Sequence, residues 1–207
     1  MMAKTYSGLV HLSGNVMAAV DYETSGRRPG FHEIIQIAIV PLNSDLRPSE
    51  VISPFYTTVK PDFPERWEDS ANWVHGLDKN ELILHAPEKG RVQDRLMEWF
   101  QRIDLPFGKV LVPLAHNAPF ESSFTKPFLG VERMDQIFHS HWRDSMGLAV
   151  SMNDRAAFAG EPIPFNKVSL GSLCRKLGIV NPRPHDAYYD SIAEAELYRA
   201  LLHMDLF

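Results

Sequence analysis

The chain has 207 residues, 44% hydrophobic and 23% charged, with a formal net charge of −5 at pH 7 and a pI near 6.0. This composition excludes a disordered, collagen-like or coiled-coil chain, and the acidic balance argues against extensive non-specific binding to duplex DNA, leaving room for a small basic groove or a site where metal ions meet phosphate. One cysteine, Cys174, excludes an intrachain disulfide framework and a Cys-based zinc site; no run reaches the roughly 18 apolar residues of a membrane helix, and Met1 to Val10 carries no secretion signal, so a cytoplasmic, single-domain protein with its core from about Asn15 to Asp205 is expected.

Val16-Met17-Ala18-Ala19-Val20 is apolar on both faces, as in a central strand covered on both sides. It runs into Asp21-Tyr22-Glu23-Thr24-Ser25-Gly26, where Ser-Gly signals a turn. Ile34 to Leu42 is a second apolar run rich in β-branched residues, and Phe55 to Val59 alternates. Three strands so close in sequence predict an antiparallel meander. Asp78 to Leu84 and Glu88 to Ile103 read as helices, the second with Val92, Leu96, Trp99, Phe100 and Ile103 at helical spacing. Val110 to Ala115 reads as another buried strand, although Pro113 removes a ladder donor. A short helix is predicted over Pro119 to Leu129, and weak helical periodicity runs from Asp144 to Phe158. Glu161 to Asn166 reads as a loop, Leu170 to Leu177 as a helix stopped by Gly178, and Ala187 to His203 as the clearest helix of the chain. Strands followed by helices with further strands predict an α/β layered domain: a mixed sheet flanked by helices.

Asp21 and Glu23 are two residues apart at a strand end, so both side chains leave the same face. Two carboxylates there repel and lose hydration unless a divalent cation with oxygen ligands lies between them; the alternative is a solvated strand end entering a turn. In the last helix Asp190 shares an apolar face with Ala193, Leu197 and Leu201, while Tyr188, Ile192, Ala195, Tyr198 and Leu202 make the opposite side apolar too. Asp190 therefore points inward from a first turn whose dipole favours it, with His185 on the loop before the helix. A structural helix end beside an ordinary loop histidine is the plainer alternative. Asn117 is placed to cap the helix after the later strand, and Glu121 falls in its first turn. Arg27-Arg28 reads as a solvated loop or a phosphate contact. His139 and His141, with Asp144 nearby, share a strand face and form a weak metal-site signal, and Asp144 also fits an N-cap. Arg175-Lys176 complements a helix C-terminus.

Four elements occur in order: Asp21-x-Glu23-Thr24-x-Gly26, His75-Gly76-Leu77, His116-Asn117-x-x-Phe120-Glu121, and His185 followed five residues later by Asp190. With them the chain resembles the DEDDh 3′–5′ exonucleases of the ribonuclease H-like superfamily, which include polymerase proofreading subunits, ribonuclease T and oligoribonucleases. The resemblance spans roughly Met17 to Leu202. It departs at Glu121, where the family usually has aspartate; glutamate is also a hard oxygen ligand, one methylene longer.

The resemblance implies a ribonuclease H-like fold and two Mg²⁺ or Mn²⁺ ions about 3.5–4 Å apart clamping the scissile phosphate. Asp21 would bridge them, Glu23 and Asp190 hold one, and Glu121 support the site from the other side. His185 would be the general base, a role suited to the side chain that exchanges protons near neutrality. The implied reaction removes nucleoside 5′-monophosphates from the 3′ ends of single-stranded DNA or RNA. Implied substrate contacts are Thr24, His75, Leu77, Asn117 and Phe120, the last reading equally well as a core aromatic. Two such ions bring the net charge from −5 to about −1, easing repulsion toward nucleic acid. The competing reading is a catalytically weakened nucleic-acid-binding or polymerase-associated subunit of the same fold; Glu121 favours it and His185 argues against it. Hydrolysis of a small phosphoester needs the same carboxylates. A homodimer, or a polymerase or repair partner, fits either of the first two readings.

Overall fold

The computed structural model describes residues 14–204, so the expectation for Met1 to Val10 lies outside them. β1 (Val16–Thr24) is buried along its length except at half-buried Asp21. Alternation sends Val16, Ala18, Val20 and Tyr22 to one face of the sheet and Met17 and Ala19 to the other. β2 (Ile34–Pro41) and β3 (Phe55–Thr58) follow antiparallel, as the predicted meander, and β4 (Leu111–Ala115) and β5 (Arg143–Asp144) add in parallel on the other side of β1. The order is β3-β2-β1-β4-β5, the mixed sheet of the ribonuclease H-like architecture. β1 outruns its apolar segment: β2 pairs it as far as Thr24, so Asp21 and Glu23 belong to the sheet rather than to the turn beyond it.

Pro113 is accommodated inside β4 by the shortness of β5. The carbonyl of Leu111 accepts from His139 on the β5 side, so Pro113, two residues on, turns its missing donor to that side. There β5 begins to pair only at Leu114.

The helices are α1 (Asp69–His75), α2 (Lys79–His85), α3 (Lys89–Arg102), α4 (Ala118–Leu129), α5 (Val131–Ile137), α6 (Ser145–Phe158), α7 (Leu170–Leu177) and α8 (Ala187–Leu202). Through Val92, Leu96, Phe124, Phe128 and Ile137, α3, α4 and α5 cover the face bearing Val20 and Tyr22. α8 covers the other face, with Ala195 against Met17, Ala19, Val112 and Leu114. α6 and α7 pack outside α8, against Ala193, Leu197 and Leu201. α8 is therefore apolar on two sides, as its sequence indicates, although Leu202 is exposed. Among the described residues no helix is long and apolar enough to cross a membrane.

β1 and β4 pair only as far as Ala19 and Leu114. Beyond that point the carboxylate of Glu194, on α8, joins them. One oxygen accepts from the Val20 N–H and the other from the His116 N–H, both at 2.9 Å. Glu194 is fully buried. Glu194→Ala leaves two interior N–H groups unpartnered, at about 1–3 kcal/mol each. A loss of roughly 2–6 kcal/mol in urea denaturation is expected, with Glu194→Gln, which keeps one acceptor, falling between the variant and the parent.

Candidate active site

Continuing the alternation of β1 puts Asp21 and Glu23 on the face that α8 covers. The ladder shifts register here: Glu23 lies opposite Gln36 and Thr24 opposite Ile34, a β-bulge of the kind that re-aims side chains. Gln36 also fixes α8, since its side-chain Oε1 accepts from the Ala187 N–H at 2.9 Å. Asp186, the N-cap of α8, accepts from the Tyr188 N–H at 3.1 Å and the Tyr56 hydroxyl at 3.0 Å. So anchored, the first turn of α8 brings Asp190 to β1. Asp190 accepts from the His185 N–H at 3.1 Å and from the Asn181 side-chain amide. His185 is exposed and holds a left-handed backbone, φ 64°. One ligand atom from each of Glu23, His185 and Asp190 lies within 4.8 Å of the others.

Glu121 enters from α4. The Tyr22 hydroxyl donates to Thr125 Oγ1 at 3.0 Å, and that hydroxyl donates to the Glu121 carbonyl at 2.7 Å, tying the first turns of α4 to β1.

Glu23, Glu121 and Asp190 are buried. Burial pushes the Glu23 carboxyl up to about 8, with Asp190 and Asp186 adding to the rise. Asp21 is raised well above the usual range by burial and by Glu23, Asp190 and Glu121. Glu121 is raised by burial and by Asp144 and Glu23. Asp190 is raised by burial too, opposed by its bonds from Asn181 and His185. Asp21 Oδ2 and Glu121 Oε2 are buried without a hydrogen-bond partner. Hard oxygens that are crowded, mutually repelling and partly unpartnered fit a divalent cation.

Other sequence-predicted residues fall around this cluster. His75 ends α1, and Leu77 follows Gly76, whose φ of 65° closes the helix. The His75 Nδ1 accepts from the Leu77 N–H at 3.0 Å, and its ring meets Trp67 edge-on at 5.5 Å. Burial pushes the His75 imidazole down to about 4, with His185 adding, so the two histidines are neighbours in the field. The Thr24 hydroxyl turns onto the Gly26 carbonyl at 2.8 Å, leaving backbone for any ligand contact. Gly26 has its own reason: a Cβ there would meet the buried ring of His32 at 2.5 Å. Phe120 is half-buried and stacks on Phe124 at 4.8 Å.

One expectation, the Asn117 cap, is corrected, and the weak signal at His139 and His141 leads to no site. Asn117 occupies the N-cap position of α4 but makes no side-chain cap bond. Its φ of 77° is left-handed, whereas side-chain capping needs an extended residue. Instead its N–H donates to Asp144 Oδ1 at 3.0 Å, and Asp144 also caps α6, accepting from Met146 and Gly147. His139 and His141 form no ligand set among the described residues: the His139 Nδ1 is occupied by the His141 N–H at 3.0 Å.

Sequence reasoning missed Gln36, Asn181 and Glu194. Only Glu194 had a local signal: four residues after Asp190, on the same apolar face.

The chain matches the family model RNase T, exonuclease, over residues 18–198. No curated protein sequence matches it. E. coli exonuclease I in complex with a dT13 oligonucleotide is similar in fold: TM-score 0.70 and 20% identity, over 91% of this chain and 41% of that one. Cell-death related nuclease 4 gives 0.70 and 19%, over 92% and 64%. The nuclease domain of 3′hExo, a DEDDh family member bound to rAMP, gives 0.64 and 20%, over 92% of both chains. The chain thus spans less than two thirds of the first two structures.

The raised carboxyls set a pH dependence. A carboxyl whose folded pKa exceeds its unfolded value binds more protons in the native state, so stability falls as pH rises between the two. For Glu23 the window runs from 4.5 to about 8. Metal-free protein is expected to melt lower at about pH 8 than at about pH 5, and Glu23→Gln to raise the melting temperature at the higher pH. Mg²⁺ or Mn²⁺ is expected to raise the parent's melting temperature with concentration, an effect reversed by EDTA.

Proposed function

Because the chain belongs to this exonuclease family, we propose that it is a metal-dependent 3′–5′ exonuclease, a single domain removing nucleoside 5′-monophosphates from the 3′ ends of single-stranded DNA or RNA. The observation that carries this is the convergence of Glu23, His185 and Asp190 within 4.8 Å, beside the unpartnered oxygens of Asp21 and Glu121. The structural relatives support both sugars, one bound to dT13 and another to rAMP. A cytoplasmic setting is part of the proposal, in keeping with the one cysteine, Cys174, free and buried.

Asp21, Glu23, Glu121 and Asp190 would hold two divalent cations, Mg²⁺ or Mn²⁺. When bound, these supply charge neutralisation at the phosphodiester and make a water acidic near neutral pH. His185, exposed and tied through its N–H to Asp190, takes the proton from that water. The water oxygen joins the terminal phosphorus, the bond from phosphorus to the 3′ oxygen breaks, and the leaving oxygen takes up a proton. His75, Leu77 and Phe120 border the terminal base, the backbone at Thr24 meets the terminal nucleotide, and Asn117 lines the approach from α4.

Glu121 is buried, its charge is felt by Asp21 and it feels that of Glu23, which favours an active site over a weakened scaffold.

A 5′-labelled single-stranded DNA and its RNA counterpart, incubated with Mg²⁺, Mn²⁺ or EDTA, are expected to shorten from the 3′ end with either metal alone. Asp190→Ala should abolish the ladder, and His185→Ala should slow it about 10²–10⁴-fold. Intact substrate with both metals, from folded protein, would move the assignment to the binding subunit.

A further inference from the structure

Two loops beside the catalytic strand carry an alternating stack of guanidinium groups and rings. The Arg28 guanidinium lies 4.2 Å from the Phe31 ring centre. Arg66 sits between Phe31 at 5.0 Å and Phe63 at 3.8 Å. The order is Arg28, Phe31, Arg66, Phe63, drawn from residues 28–31 after β1 and 63–66 after β3.

Hydrogen bonds hold the two loops that carry the stack. Arg28 N–H donates to His32 Nδ1 at 2.8 Å, and the N–H groups of Phe31 and His32 return to the Arg28 carbonyl. The Glu33 carboxylate accepts from the N–H groups of Asp62 and Phe63 at 3.2 and 2.9 Å, which fixes the second loop against the first. Ser25, two residues past Glu23, joins both: its hydroxyl accepts from Glu33 N–H and its carbonyl from Glu68 N–H. Trp67, next to Arg66, packs on His75. The two loops are thus joined to β1 through Ser25 and to His75 through Trp67.

Its rings are not core residues. Phe31 and Phe63 are 40% and 43% exposed. Arg28 is exposed and makes no ion pair among the described residues, while Arg66 has Glu65 only at 3.9 Å. Stacking occupies the guanidinium faces; Arg66 Nη1 also donates to the Phe31 carbonyl at 3.5 Å, and the remaining N–H edges are left for acceptors. The same loops line a cavity of about 100 Å³ together with Lys89 and with Lys60, which Glu88 pairs at 2.7 Å. Cationic edges ending on an exposed ring, Phe63, suit a polyanion with flat bases, a single nucleic-acid strand, in a chain whose net charge is otherwise −5.

We propose that Arg28, Phe31, Arg66 and Phe63 form a second binding site for the single strand upstream of its 3′ terminus, the arginine edges meeting phosphates, Phe31 holding the two guanidinium groups between which it lies, and the open face of Phe63 stacking a base. The inference rests on the reading of the acidic cluster as the seat of the 3′ end. Everything beyond that terminal nucleotide is 5′ of it, so an occupant of the stack is the strand's upstream part.

The test is binding, by fluorescence anisotropy in EDTA, of a labelled strand of about 12 nucleotides and of a dinucleotide. The parent is expected to prefer the longer strand. Arg66→Gln should reduce that preference about tenfold and make the salt dependence shallower by about 0.7 in the log–log slope, the signature of one lost phosphate contact. Phe63→Leu, which keeps apolar volume, should lower the preference with the salt slope intact. A parent without length preference, or a folded Arg66→Gln protein with the parent's preference and slope, overturns the site. If the stack's signature is present but neither substrate is hydrolysed with metal, the site stands and the exonuclease assignment falls.

Discussion

β1 and β4 stop pairing after Ala19 and Leu114, and the N–H groups left beyond that point need acceptors where water does not reach. Glu194 supplies both, holding Val20 to His116 across the parting strands. The next residue of β1 is Asp21, and the residue after His116 is Asn117, where α4 begins. A single carboxylate thus sets how far apart the two acidic elements stand. It does so at a cost: burial and the nearby charges of Asp21 and Glu121 push its own carboxyl well above the usual range.

The remaining acidic groups share this tension. Their surroundings are polar mainly in backbone N–H groups, side-chain amides and hydroxyls, which orient carboxylates without cancelling their charge. Gln36 and Tyr56 fix the entry of α8, Tyr22 and Thr125 fix α4, and Asn181 and the His185 backbone fix Asp190. The protein spends its hydrogen bonds on placement and leaves neutralisation to a cation. That division explains why two carboxylate oxygens remain unpartnered in an otherwise well-bonded cleft.

What the sequence reveals follows from how local each signal is. Alternation along β1 announces that Asp21 and Glu23 share a face, and the periodicity of α8 announces that Asp190 turns inward. The strands of the meander and the longer helices carry enough apolar residues to be seen. α1 buries no side chain and α5 only Ile137, so neither has a stripe to read, and β5 has two residues. The Asn117 cap failed because a left-handed backbone is not encoded by residue type alone. The bonds of Gln36 to α8 and of Glu194 to β1 join residues 151 and 174 positions apart. No window of sequence contains both partners.

That long span bears on when the site can exist. Asp21, Glu23 and Glu121 are all synthesised before the last described helix is made. The clamp on the strands, the remaining carboxylate and the histidine beside it all come with α8 and the loop before it. Closing a contact across 174 positions is a slow, non-local step. During synthesis the chain therefore carries an incomplete acidic centre until the last described helix docks, and the carboxylates come together only at the closing event of folding.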